Sequence, residues 1–168
     1  MAKILVIDIE TTGLNFEKDL ILEIGIVELD LDNGNIIELF NSLIKEPEFN
    51  QNHYSSWIFQ EDYIKKEEYF SAPPIQDVFD EIQKILDNYY VTAFNKEFDL
   101  TFLRKKGFQI SLEFPCIMKV SARVMKIPSI RNGYKWPKMQ QAYNFFFPKL
   151  NILNVIEHSM MPIMKLKS

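Results

Sequence analysis

The sequence predicts an α/β fold, a mixed sheet of about five strands flanked by helices, and three observations carry that expectation. Residues 3–9 form a short, nearly continuous apolar run, the pattern of a strand buried on both faces. Two β-rich stretches, 20–31 and 36–44, flank Asp32-Asn33-Gly34, a strong hairpin signal, so they should pair antiparallel. Beyond residue 74, helical spacing alternates with β-rich runs, which gives the order β-β-β-α-β-α-β-α.

Each later element has its own signal. Residues 45–70 show no sustained period and read as short helices and loop. Pro74 suits the first turn of a helix whose apolar positions are Ile75, Val78, Phe79, Ile82, Ile85 and Leu86. Residues 89–94 read as a strand, and Asn95 is placed to N-cap a helix that ends near Gly107. Residues 110–118 suggest a fifth strand, followed by helices over 121–126 and 137–146 and a last one starting near Asn151.

The chain has 168 residues, 47% hydrophobic and 25% charged, and is expected to form one domain over 1–168. Its single cysteine, Cys116, makes no internal disulfide, which excludes a disulfide scaffold and suits a reducing compartment. The first apolar run is too short for a signal peptide, and later ones are broken by charges or prolines. A soluble cytoplasmic protein without a membrane partner is the expectation.

A net charge of −4 argues at face value against a polyanion partner, but the charge is segregated. Residues 1–113 hold 10 Lys/Arg and 22 Asp/Glu, whereas residues 114–150 hold 7 Lys/Arg and no acid. Those cations are Lys119, Arg123, Lys126, Arg131, Lys135, Lys138 and Lys149, interleaved with Tyr134, Trp136 and Tyr143. Cations and ring faces so mixed are what single-stranded nucleic acid binders use, although a solvated helical face has the same look.

Asp8 and Glu10 end the first strand two residues apart, so its alternation points both carboxylates to one face. Their mutual repulsion favours a cation between them, which makes the pair a candidate hard-metal site. Thr11-Thr12-Gly13 follows as a tight turn, offering N–H groups and hydroxyls to a phosphate or sugar. A P-loop nucleotide site is excluded, because none of the five glycines is followed by Lys.

Residues 8–14, Asp-Ile-Glu-Thr-Thr-Gly-Leu, resemble the first motif of the DnaQ-like (DEDDh) 3′-to-5′ exonucleases. Residues 95–103, Asn-Lys-Glu-Phe-Asp-Leu-Thr-Phe-Leu, resemble the second, and the likeness extends over about residues 1–158. The resemblance implies an RNase H-like fold and a 3′-to-5′ exonuclease acting on single-stranded DNA or RNA ends, with a polymerase or repair assembly as a conceivable partner. It implies two divalent ions, Mg²⁺ or Mn²⁺, held by Asp8, Glu10 and Asp99, with His158 as general base. It further implies that Thr11, Thr12, Leu14 and Asn95 belong to the nucleic acid site, with Leu14 against the terminal base. Phe102 shapes the same pocket or belongs to the core. Lys119, Arg123, Lys135 and Lys138 are the expected phosphate contacts.

The likeness breaks in the third motif, where the family has His, four residues, then Asp, about one helical turn apart. Here that position is Ile163, and Pro162 disfavours the helix interior. Glu157 lies about 100° around a helix from His158 and is a poor substitute. The segment 151–168 is therefore expected to be a closing helix cut short or altered. Codons for 160–165 read two bases later begin Asp-Ala, the family's residues at this place, so a shifted frame is one explanation. Two expectations stay open: an exonuclease with an incomplete metal site, and a nucleic acid-binding pseudoenzyme that keeps the fold.

Overall fold

The fold, taken from a computed structural model, is described for residues 2–130 and 133–148. A four-stranded sheet runs in the order β3-β2-β1-β4, built from β1 (Lys3–Thr11), β2 (Ile21–Asp30), β3 (Ile36–Leu43) and β4 (Tyr90–Ala93). The first three strands are an antiparallel meander, and β4 joins β1 in parallel, with Ile4 to Ile7 opposite Tyr90 to Ala93. The apolar run that predicted a central strand is central, flanked by β2 and β4.

Pleating sorts β1 into two faces. Leu5, Ile7 and Ile9 enter the main core with Ile24, Ile26 and Phe40 of β2 and β3. Two helices cover that face: α3 (Ile75–Leu86) brings Ile75, Ile82 and Leu86, and α4 (Lys96–Lys105) brings Leu100, Phe102 and Leu103. Burying each such side chain stabilises the fold by about 1.5–3 kcal/mol before chain entropy is subtracted. Ile4, Val6, Asp8 and Glu10 occupy the opposite face.

The 2-residue turn signal at Asn33-Gly34 resolves into a longer loop, 31–35, tied by Asp30 N–H to Asn35 O at 2.9 Å and Gly34 N–H to Asp30 O at 2.8 Å. Gly34 takes φ 77°, the conformation this turn needs and glycine tolerates. After β3 come a 3-10 turn (Gln51–Ser55), α1 (Trp57–Gln60) and α2 (Lys66–Phe70), the short helices expected there. Ile58, Phe59, Ile64, Tyr69 and Ala72 form a second core around Leu22 of β2.

The expected fifth strand over 110–118 is reduced to one parallel bridge, Glu113 with Val91 of β4. Val91 N–H donates to Leu112 O and Phe114 N–H to Val91 O, but Pro115 has no N–H to continue the ladder. The chain turns at once into α5 (Ile117–Met125), four residues earlier than the helix expected from residue 121. α6 (Met139–Phe146) falls inside the expected 137–146. Among the described residues no helix is long and apolar enough to cross a membrane. The expected last helix, with His158, Pro162 and Ile163, lies outside the described residues, as do Arg131 and Lys149.

Candidate functional site

Asp8 is half-buried and Glu10 is 5% exposed, side by side on one face of β1 opposite Gly25 and Glu23 of β2. The register shifts between Glu10 and Thr11, a bulge of the kind that re-aims side chains at a strand end. β4 stops at Ala93, opposite Ile7, so the Ile9 N–H lies past the last β4 partner. Asp99 supplies the missing acceptor: its Oδ1 takes the Ile9 N–H at 3.3 Å, and its side chain is 4% exposed. The carboxylate of the second motif is thereby fastened to the backbone between the two carboxylates of the first.

Asn95 stands at the N-cap of α4 as expected, but its side chain makes no capping bond. Its carbonyl accepts the N–H groups of Phe98 and Asp99 at 2.9 and 3.3 Å, which closes the first helical turn and sets the position of Asp99.

The turn after β1 is organised by its own side chains. Thr11 Oγ1 donates to Gly13 O at 2.6 Å, and Thr12 Oγ1 donates to Asp19 Oδ1 at 3.1 Å while accepting the Leu20 N–H at 3.0 Å. Asp19 Oδ2 accepts the Asn15 N–H at 2.8 Å. Both threonines are buried, so their hydroxyls build the loop, and Leu14, 82% exposed, is the side chain the loop presents. Phe102 is fully buried in the main core, and Phe16 caps it edge-on at 6.5 Å between ring centroids. Lys105 pairs with Glu17 and sits 5.6 Å over the Phe16 ring, docking the loop on α4. Asp19 and Phe16 were missed in the sequence, where nothing in their spacing marks them.

The basic side chains divide into two groups. Lys96 and Arg104 both hold Glu113, at 2.6 and 2.5 Å, and their hydrogen bonds keep its carboxyl below the ordinary carboxylate value. Lys106 pairs with buried Glu46, whose carboxyl is nevertheless pushed up by burial. Lys119 pairs with Glu97 of α4, and Arg123, Lys135 and Lys138 are exposed.

Asp8, Glu10 and Asp99 offer only carboxylate oxygen, the donor chemistry a hard divalent cation takes. Among the described residues no group of three or more His, Cys, Asp or Glu side chains is arranged to hold a metal ion.

The family model RNase_T, described as Exonuclease, matches residues 5–145. The DNA polymerase III PolC-type protein of Thermotoga petrophila is 35% identical over 119 residues, 69% of this chain and 8% of that protein. The 3′-5′ exonuclease DinG of Bacillus subtilis is 34% identical over 113 residues, 64% of this chain and 12% of that protein. This chain therefore spans about a tenth of the length of these curated relatives. Escherichia coli exonuclease I with a dA16 oligonucleotide superposes with TM-score 0.59 at 14% identity, covering 84% of this chain and 33% of that one. Its complex with dT13 gives TM-score 0.58 at the same identity, again covering 84% of this chain and 33% of that one.

Proposed function

Because the chain belongs to the RNase_T exonuclease family, we propose that it is a 3′-to-5′ exonuclease domain that hydrolyses phosphodiester bonds of single-stranded DNA or RNA. The observation that supports this most is the Ile9 N–H to Asp99 Oδ1 bond, which joins the two carboxylate motifs at one strand end. In this reading Asp8, Glu10 and Asp99 hold divalent ions, Mg²⁺ or Mn²⁺. Two such ions, when bound, clamp a scissile phosphate and ease deprotonation of water.

The chain's own side chains do the rest. Leu14 packs against the terminal base from the tip of the loop that Thr11, Thr12 and Asp19 hold in shape. Arg123, Lys135 and Lys138 bind backbone phosphates, and His158 takes the proton of the attacking water. Ile163 stands where the family carries its last acid, so turnover should suffer more than binding. The relative named DNA polymerase III PolC-type favours a polymerase as the setting for this domain.

A second reading, a nucleic acid-binding pseudoenzyme, is favoured by that same Ile163, which stands in place of the family's last acid. One experiment separates them. Single-stranded DNA and RNA labelled at the 5′ end are incubated with the protein and Mg²⁺ or Mn²⁺. A ladder of products shortening from the 3′ end, absent in Asp8→Ala, supports the exonuclease. Binding without shortening in either metal selects the pseudoenzyme.

A further inference from the structure

We propose that Trp136 is a stacking platform for one base of the bound strand, and that Lys119, held by Glu97 in the free protein, transfers to the phosphate beside that base. The proposal rests on the reading of the chain as a protein of single-stranded nucleic acid and names a subsite of it.

The geometry begins with a ring that is outside the core. Trp136 is 57% exposed, yet its backbone is held: Lys135 N–H donates to Ile127 O at 2.9 Å, Tyr134 bridges to Pro128, and Pro137 is buried. A large flat ring on a fixed backbone, open to solvent, is what a base needs for stacking, and it serves any base because all have a π face. Trp57, 40% exposed, differs in that its ring packs on Tyr63 at 5.3 Å.

Beside the platform stands a cation. Lys119 Nζ lies 5.6 Å from the centre of the Trp136 ring and is paired with Glu97. The side chains of Lys119 and Glu97 are 38% and 67% exposed, so water screens the pair and another anion can compete for the lysine. Glu97 belongs to the first turn of α4, two positions before Asp99. One line of contacts therefore runs from Trp136 through Lys119 to the turn that carries a proposed metal ligand. A strand whose base stacks on Trp136 places its own phosphate within the reach of Lys119, where it replaces Glu97. Glu97 thus acts as an internal competitor that lowers affinity until base and phosphate arrive together.

The test uses intrinsic fluorescence, which requires no turnover. Trp57→Phe leaves Trp136 as the sole tryptophan of the two in the chain, and its thermal melt is compared with the parent. This protein is titrated in EDTA with single-stranded oligothymidylate of about 12 nucleotides while anisotropy of a labelled copy reports binding independently. Trp136 emission should be quenched with the midpoint that anisotropy gives. Trp136→Ala should weaken binding about tenfold and Trp136→Phe much less. Glu97→Gln should tighten binding about threefold, and Lys119→Ala should reduce the logarithmic salt slope by about 0.7. Binding by anisotropy without quenching, unchanged affinity in Trp136→Ala, or weaker binding in Glu97→Gln overturns the subsite and leaves the general reading standing. No anisotropy change with DNA or RNA in the parent protein overturns both.

Discussion

Asp99 accepts a hydrogen bond from the backbone N–H of Ile9 across 90 positions of sequence, at 3.3 Å and away from solvent. The carboxylate thus has a structural task, satisfying a buried donor past the end of β4, besides the charge proposed for metal binding. The two tasks separate by substitution. Asp99→Asn keeps an acceptor oxygen, so its urea midpoint should stay near the parent value while Mn²⁺ binding by calorimetry is lost. Asp99→Leu leaves the N–H unsatisfied and should cost about 1–3 kcal/mol as well. Equal destabilisation in both variants would show that the charge, and not the acceptor, secures the strand.

Gly13 is required by a side chain. A Cβ there would lie 2.5 Å from Asp19 Oδ2 and 2.7 Å from its Cγ, so Gly13→Ala must displace the carboxylate that holds Thr12 and Asn15. We expect Gly13→Ala and Asp19→Ala each to lower stability by about 1–2 kcal/mol and to raise KM for an oligonucleotide. Normal KM in both variants would separate the loop from substrate.

Glu113 carries an acid-side pH dependence. Its carboxyl is held below the ordinary value of 4.5, first by the Lys96 hydrogen bond and then by that of Arg104. A depressed folded value means stability present in full above 4.5 and lost as pH falls through the folded value. The parent should therefore exceed Glu113→Gln at neutral pH, by less than about 1 kcal/mol because solvent screens the pair, and the gap should close in acid. Urea titrations across that range check it, and a gap that widens in acid refutes the assignment. Glu46 has the opposite sign: burial raises its value, so its contribution is present below 4.5 and is lost as pH rises through the folded value.

Arg123, Lys135 and Lys138 are exposed and lie on or between α5 and α6. Replacing all three by Ala should weaken oligonucleotide binding and reduce the logarithmic salt slope by about 2, close to 0.7 per phosphate contact. An unchanged slope would return this surface to an ordinary solvated face. Each lone substitution should leave the melting temperature nearly unchanged, since none of these side chains is buried.

What the sequence determined by itself lies in short-range pattern. The apolar run of β1, the meander around Gly34, the α3 spacing and both acidic motifs were legible because period and turn chemistry act over a few residues. The same local signals overstated the run after residue 110, where β-forming side chains surround Pro115 and only Glu113 pairs with β4. Tertiary structure decided the rest. That Asp99 reaches the Ile9 N–H depends on β4 ending at Ala93, and that Phe102 is core depends on α4 lying over the sheet. The use of the Thr12 hydroxyl inside the loop depends on Asp19 folding back upon it, while the Thr11 hydroxyl is taken by the Gly13 carbonyl. Hydrogen-bond partners and burial are set by which elements meet after the chain closes on itself, and residues distant in sequence carry no local signature of that meeting.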